Sequence, residues 1–177
     1  MSARDSNPRR RPETRLPARR VRLVIVVSVI AGLVAAGAAA WLAQRKHVPP
    51  ISADDPRQVA QGASVYAARC AQCHGANLEG QPNWQQRLAN GRLPAPPHDA
   101  GGHTWHHPDE LLFGMVKDGL QAYAPAGYQT DMPAFAGVLT DDEIAATLAF
   151  IQSRWPPPIR AQHDRINAQW EKQGVTP

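Results

Sequence analysis

The sequence predicts a small all-α domain, residues 54–158, carried behind one N-terminal membrane-spanning helix. Three observations support this. Residues 23–43 (LVIVVSVIAGLVAAGAAAWLA) carry no formal charge and are bounded by Arg19, Arg20 and Arg22 on one side and Arg45 and Lys46 on the other. Two later segments, PRQVAQGASVYAARC and LTDDEIAATLAFIQSRW, pair capping residues with apolar positions at helical spacing. The chain's 17 prolines are spread rather than periodic, which favours a loop-rich domain and excludes long uninterrupted helices.

In chain order, residues 1–20 form a basic, disordered tail rich in Arg, Pro, Ser and Asn. Residues 1–22 hold eight arginines and two acids, whereas residues 23–177 hold eleven bases and thirteen acids, so the overall charge of +4 is the sum of two opposite parts. The segment long enough to fold is acidic and has no Lys/Arg face, which excludes a nucleic-acid-binding domain. The anchor is expected over residues 21–43. At about 1.5 Å per helical residue its apolar run spans about 30 Å, the thickness of a bilayer core. A cleavable signal peptide is the rival, but the long basic stretch before the run and the length of the run favour retention. The basic excess on the N-terminal side places that end in the cytoplasm and the rest on the far side. Residues 44–53 are a linker.

The first domain helix starts at Asp54 or Asp55 with Pro56 in its first turn and runs to about Cys70. Both cysteines of the chain lie in Cys70-Ala71-Gln72-Cys73-His74. A thioredoxin-like redox pair would need a strand and a helix around it, and no β-rich unit surrounds these residues. A zinc site would need a fourth ligand, usually from a second Cys/His pair, and no second Cys pair exists. Covalent haem attachment needs only what is present: two thiols at this spacing to add to the two vinyl groups, and an adjacent histidine to lie under the iron. The residues favour this third chemistry.

With the helix before it, a Met-Pro-Ala-Phe segment at 132–135 and the closing helix, the attachment motif (QGASVYAARCAQCHG) resembles the class I c-type cytochromes, in particular their membrane-anchored bacterial single-haem members. The resemblance covers roughly Ser52 to Trp155. It implies a helical shell around one haem c held by Cys70 and Cys73. It also implies crossing terminal helices, with Gly62 and Tyr66 of the first against Phe150 and Ile151 of the last.

The axial iron ligands are expected to be His74 and Met132. Met132 precedes Pro133, which extends its backbone, and the 127–136 loop can lay a thioether over a haem face. Met115 falls in a helix over 108–118 and is expected to pack at the haem edge or core. Phe135 and Trp105 are further pocket candidates, Trp105 with His103 toward the haem propionates. Asp131 reads as a solvated loop acid. The resemblance implies a proline carbonyl that receives Nδ1–H of His74, and Pro94, Pro96 and Pro97 all lie in that region. His98, His103, His106 and His107 admit two readings. One is a second copper or zinc site, with Asp99 as a possible ligand. The other is a loop whose histidines cap the 108–118 helix, meet propionates or face water.

The closing helix starts at Thr140 or Asp141 with Glu143 following, and Ile144, Leu148, Ile151 and Trp155 form its apolar stripe until Pro156 stops it. Residues 159–177 are expected to add a helical extension laid on the domain, with Ile159, Ile166 and Trp170 on one face. Neither an acid–base pair nor a nucleophile is evident, so no enzymatic role is expected. The resemblance implies electron transfer at the periplasmic face of the bacterial inner membrane. The partners it implies are a quinol–cytochrome c reductase and a terminal oxidase.

Overall fold

The computed structural model describes residues 26–37 and 48–174. The chain divides into two units, Met1–His47 and Val48–Pro177. In the first unit residues 26–37 form helix α1, with Val26, Ile30 and Leu33 all exposed. These residues lie within the predicted span 21–43. The two ends of that span, the tail 1–20 and linker residues 44–47 lie outside the described residues. Among the described residues no helix is long and apolar enough to cross a membrane.

The second unit contains α2 (Pro56–Arg69), α3 (Ala71–His74), α4 (Asp109–Asp118), α5 (Asp141–Ser153) and α6 (Pro157–Gln173), with 3-10 turns at Thr104–His106 and Leu120–Ala122. The described residues include no strand; one isolated bridge pairs Ala136 with Leu139. Asp55 caps α2, its Oδ1 accepting from the Arg57 amide at 2.9 Å. The first helix reaches the motif where expected, with Cys70 as its C-cap. It ends at Arg69, and α3 begins after Cys70 as a separate turn, closed by Gly75 at φ 80°. That backbone is open to glycine at little cost, and it turns the chain away directly after His74.

Helix α5 opens on a capping box in which the Thr140 hydroxyl accepts from the Glu143 amide and the Glu143 carboxylate accepts from the Thr140 amide. Its burial exceeds the expected stripe: Ala145, Ala146 and Ala149 are buried along with Ile144, Leu148 and Ile151. The alanines allow α2 to approach closely. A Cβ built on Gly62 would stand 1.8 Å from the Ala146 carbonyl oxygen, and the Tyr66 and Phe150 rings pack with centroids 5.3 Å apart. Trp155 is buried as expected but lies beyond the helix, past its Arg154 C-cap.

The core has two clusters. Tyr66, Leu78, Ile151 and Trp155 form one, with Cys70 and Trp105 against it; Leu112, Phe113, Ile144 and Leu148 form the other. Pro156, Pro157 and Pro158 end α5 and also begin α6 two residues earlier than the expected boundary, because proline suits the first helical turn. Helix α6 packs Ile159 against the first cluster, and the Trp170 indole donates to Glu110 at 2.9 Å. Its Arg160 pairs with Asp54 at 2.7 Å.

Candidate haem-binding site

The end of α2 and the turn of α3 present Cys70, half-buried, and Cys73, exposed, as free thiols. Burial, and then the neighbouring Cys73, push the Cys70 thiol up to about 11. A catalytic redox cysteine is activated in the opposite direction, so the thioredoxin-like chemistry has no support here.

His74 is buried, and its Nδ1 donates to the carbonyl of Pro96 at 2.8 Å. Pro96 is thus the proline, of the three candidates, whose carbonyl meets the ring. Pro94 and Pro97 are buried beside it, and Pro97 packs where side chains on Gly80 and Gly102 would otherwise stand. Burial holds the His74 pKa below the ordinary range against the opposing effect of the Pro96 bond. This favours the neutral ring, with Nε2 left free to coordinate.

Behind His74 lies a second imidazole. The His98 ring stacks on it with centroids 4.0 Å apart, and His98 Nδ1 meets the Thr104 hydroxyl at 2.7 Å. The His98 carbonyl accepts from the Trp155 indole at 2.7 Å, and its amide donates to the Leu78 carbonyl at 2.8 Å. Leu78 is itself buried in the left-handed region, φ 71°, a conformation disfavoured for a side chain of this size and held here by packing.

The other three histidines of the cluster are engaged in ring packing. His103 lies flat on Trp84 at 5.3 Å, His107 meets His103 edge-on at 5.6 Å, and His106 stacks on Trp105 at 3.6 Å. Among the described residues no group of three or more His, Cys, Asp or Glu is placed to hold a metal ion, so the second-metal reading has no geometric basis there. The histidines do not cap α4 either. Its first amide, Asp109 N, donates to Asn167 Oδ1 of α6 at 2.8 Å. Asp99 instead accepts from the Gly101 amide at 2.8 Å, closing its own turn.

Met132 is half-buried in its loop, with its amide donating to the Thr130 hydroxyl at 3.0 Å. After Met132 the chain is fastened to the end of α4: the Phe135 amide reaches the Val116 carbonyl at 3.1 Å and the Ala136 amide reaches the Lys117 carbonyl at 2.8 Å. Before it, Asp131 pairs with Arg92, and Arg87 lies over the Tyr128 ring at 5.9 Å. Asp131 is the exposed loop acid expected, and its surface pairing with Arg92 was not foreseen. Phe135 is buried and Met115, on α4, is half-buried.

Trp105 packs against the first core cluster, yet its indole Nε1 is buried without a hydrogen-bond partner. Burying such a donor unpaired costs about 1–3 kcal/mol. An acceptor from a bound group, such as a haem propionate, would remove that cost. Two free thiols at C-x-x-C spacing, a neutral histidine oriented by a backbone carbonyl and an unspent buried donor together fit haem c.

These features define a c-type haem protein. Residues 59–155 match the Cytochrome c family model, more than half of the chain, and the chain belongs to that family. No curated protein and no solved structure matches it. Family membership implies covalently bound haem c and an electron-transfer role, and such domains are typical of electron carriers.

Proposed function

We propose that this chain is a class I, single-haem cytochrome c that carries electrons one at a time, tethered by its N-terminal segment at the periplasmic face of the bacterial inner membrane. The observation that carries the reading is the His74–Pro96 bond beside the two free thiols, since it leaves His74 Nε2 available to a cofactor that Cys70 and Cys73 would hold. When bound, haem supplies the one-electron chemistry.

The chain's own residues do the rest. Cys70 and Cys73 hold the group, and His74 Nε2 supplies one ligand while Pro96 fixes its ring and raises its donor strength. Met132 supplies the second, a soft thioether that favours ferrous iron and fills the coordination sphere. Trp105 donates to a propionate, and Phe135 and Met115 help to exclude water. Residues 21–43 serve as the anchor; the expected linker is shorter than 44–53, because Val48 and Ile51 pack on the second core cluster and residues 48–55 belong to the domain. With nine bases and thirteen acids over residues 51–177, the domain suits basic docking faces. Such encounters are weak and salt-sensitive. The donor and acceptor classes proposed are a quinol–cytochrome c reductase and a terminal oxidase.

The test is to expose the dithionite-reduced protein, purified from membranes, to carbon monoxide, and then to an oxidised basic redox protein. A carrier leaves its spectrum unchanged by carbon monoxide and is reoxidised at a rate that falls with ionic strength. Rapid carbon monoxide binding by the wild type would contradict the carrier reading and favour a ligand-binding haem subunit.

A further inference from the structure

Helix α6 begins beyond the matched cytochrome c residues, and its buried side chain is a histidine. His163 is 2% exposed. Its Nε2 lies 2.9 Å from Asp109 Oδ1 and its Nδ1 lies 3.2 Å from the Trp105 carbonyl oxygen. Neither partner can donate. A neutral imidazole carries one N–H and satisfies one of them; only the imidazolium donates to both. The Gln152 amide donates to Asp109 Oδ1 at 2.6 Å and stands 3.4 Å from His163 Nε2, and that nitrogen still faces Asp109 at the shorter distance. Asn167 donates to the other Asp109 oxygen at 2.9 Å, so donors face both oxygens of the carboxylate.

The groups facing His163 are few. Helix α4 supplies Asp109, and the 3-10 turn supplies the Trp105 carbonyl. Helix α5 supplies the neutral Gln152, and Trp155, just past that helix, presents its ring edge-on at 4.9 Å. Helix α6 itself contributes Asp164, and Arg160, which is paired with Asp54. Burial is the largest influence and lowers the His163 pKa, but Asp109, the Trp105 carbonyl and Asp164 together outweigh it and hold the pKa above the ordinary value. A polar cleft of about 230 Å³ opens beside the ring, lined by Asp54, Asp109, Arg160, Asp164 and Asn167, and gives protons a route to it.

Trp105 links this pair to the haem site. Its carbonyl is held by His163, while its buried indole Nε1 awaits an acceptor. We propose that His163 is a redox-linked protonation site, through which the C-terminal helix couples reduction of the haem domain to proton uptake. This rests on haem c being bound at Cys70 and Cys73. One electron enters from the redox partner and a fraction of a proton from water binds the imidazole; on oxidation both leave, and no covalent bond changes. The added negative charge of the reduced centre favours the imidazolium.

The test uses the haem-loaded chain. Titration of the His163 ring by NMR in the ferric and ferrous states should give an acid dissociation constant about threefold or more smaller in the ferrous state. The reduction potential should fall as pH rises through that interval, and His163→Gln, which keeps a hydrogen-bonding side chain without the charge, should flatten that fall. Equal constants in the two states would overturn the proposal, as would an unchanged pH dependence in His163→Gln, which would assign the coupling to the haem carboxylates. Should that variant fail to fold, the wild-type titration decides alone. A chain lacking covalent haem would overturn the haem reading and the proposal together, whereas a haem-loaded chain with equal constants overturns the proposal only.

Discussion

The His74 imidazole and the Pro96 carbonyl, 22 residues apart, meet at 2.8 Å. Because a carbonyl only accepts, Nδ1 carries the proton and Nε2 is the free lone pair. Pro96 is followed by Pro97, and both prolines restrict the local backbone, so the carbonyl is held in one direction by the chain itself. The hydrogen bond that orients the ring thus needs no side-chain partner that a substitution could remove. Met132, the second ligand proposed, has no such backbone guarantee and sits in a loop.

Met132→Ala should therefore abolish the weak near-red absorption of the ferric, thioether-bound haem, lower the reduction potential and let added imidazole bind. Met115→Ala, a change on α4, should keep the band. Visible spectroscopy of the two haem-loaded variants checks this, and a band that survives Met132→Ala would assign the ligand elsewhere.

Gly62→Ala should destabilise the domain. Alanine ordinarily improves a helix by about 0.5–1 kcal/mol over glycine. Here its Cβ would lie 1.8 Å from the Ala146 carbonyl oxygen, an atom that cannot rotate away. Overpacking of this kind costs about 1–3 kcal/mol, so the clash wins and the urea midpoint falls. A midpoint at or above that of the wild type would show that the α2–α5 crossing is looser than described.

Thr140→Ala should cost about 1 kcal/mol through loss of the α5 cap. The same cap sets a pH dependence. The Thr140 backbone amide, followed by its hydroxyl, holds the Glu143 carboxyl below its ordinary pKa. A carboxyl lowered in the folded state contributes stability that is present above its ordinary value and is lost as pH falls through the lowered one. Urea titrations between neutral and acidic pH should show a shallower acid loss in Glu143→Gln than in the wild type.

Much of this was legible because its determinants are local. Thr140 and Glu143 stand three residues apart, Asp55 precedes Pro56, and the haem-attachment motif occupies five consecutive positions. The His74 partner could be narrowed to three prolines and no further, since Pro94, Pro96 and Pro97 offer the same carbonyl and only the path of the chain selects one. The stacking of His98 on His74 was hidden for a related reason: the sequence shows a histidine cluster, but whether its rings point together or apart depends on Trp84, Trp105 and Thr104. His163 was missed outright. It lies on the same face of α6 as Ile159 and Ile166, which is a signal that it is buried, but its partners Trp105 and Asp109 are more than fifty residues away.

The central claim is the covalent haem, and haem staining after denaturing electrophoresis, with intact mass, tests it most directly. Expressed with the cytochrome c maturation machinery, the chain should keep a stained haem and carry the added mass of one group, and the Cys70→Ser/Cys73→Ser double variant should lose both. An unstained wild-type chain of unmodified mass would contradict the account.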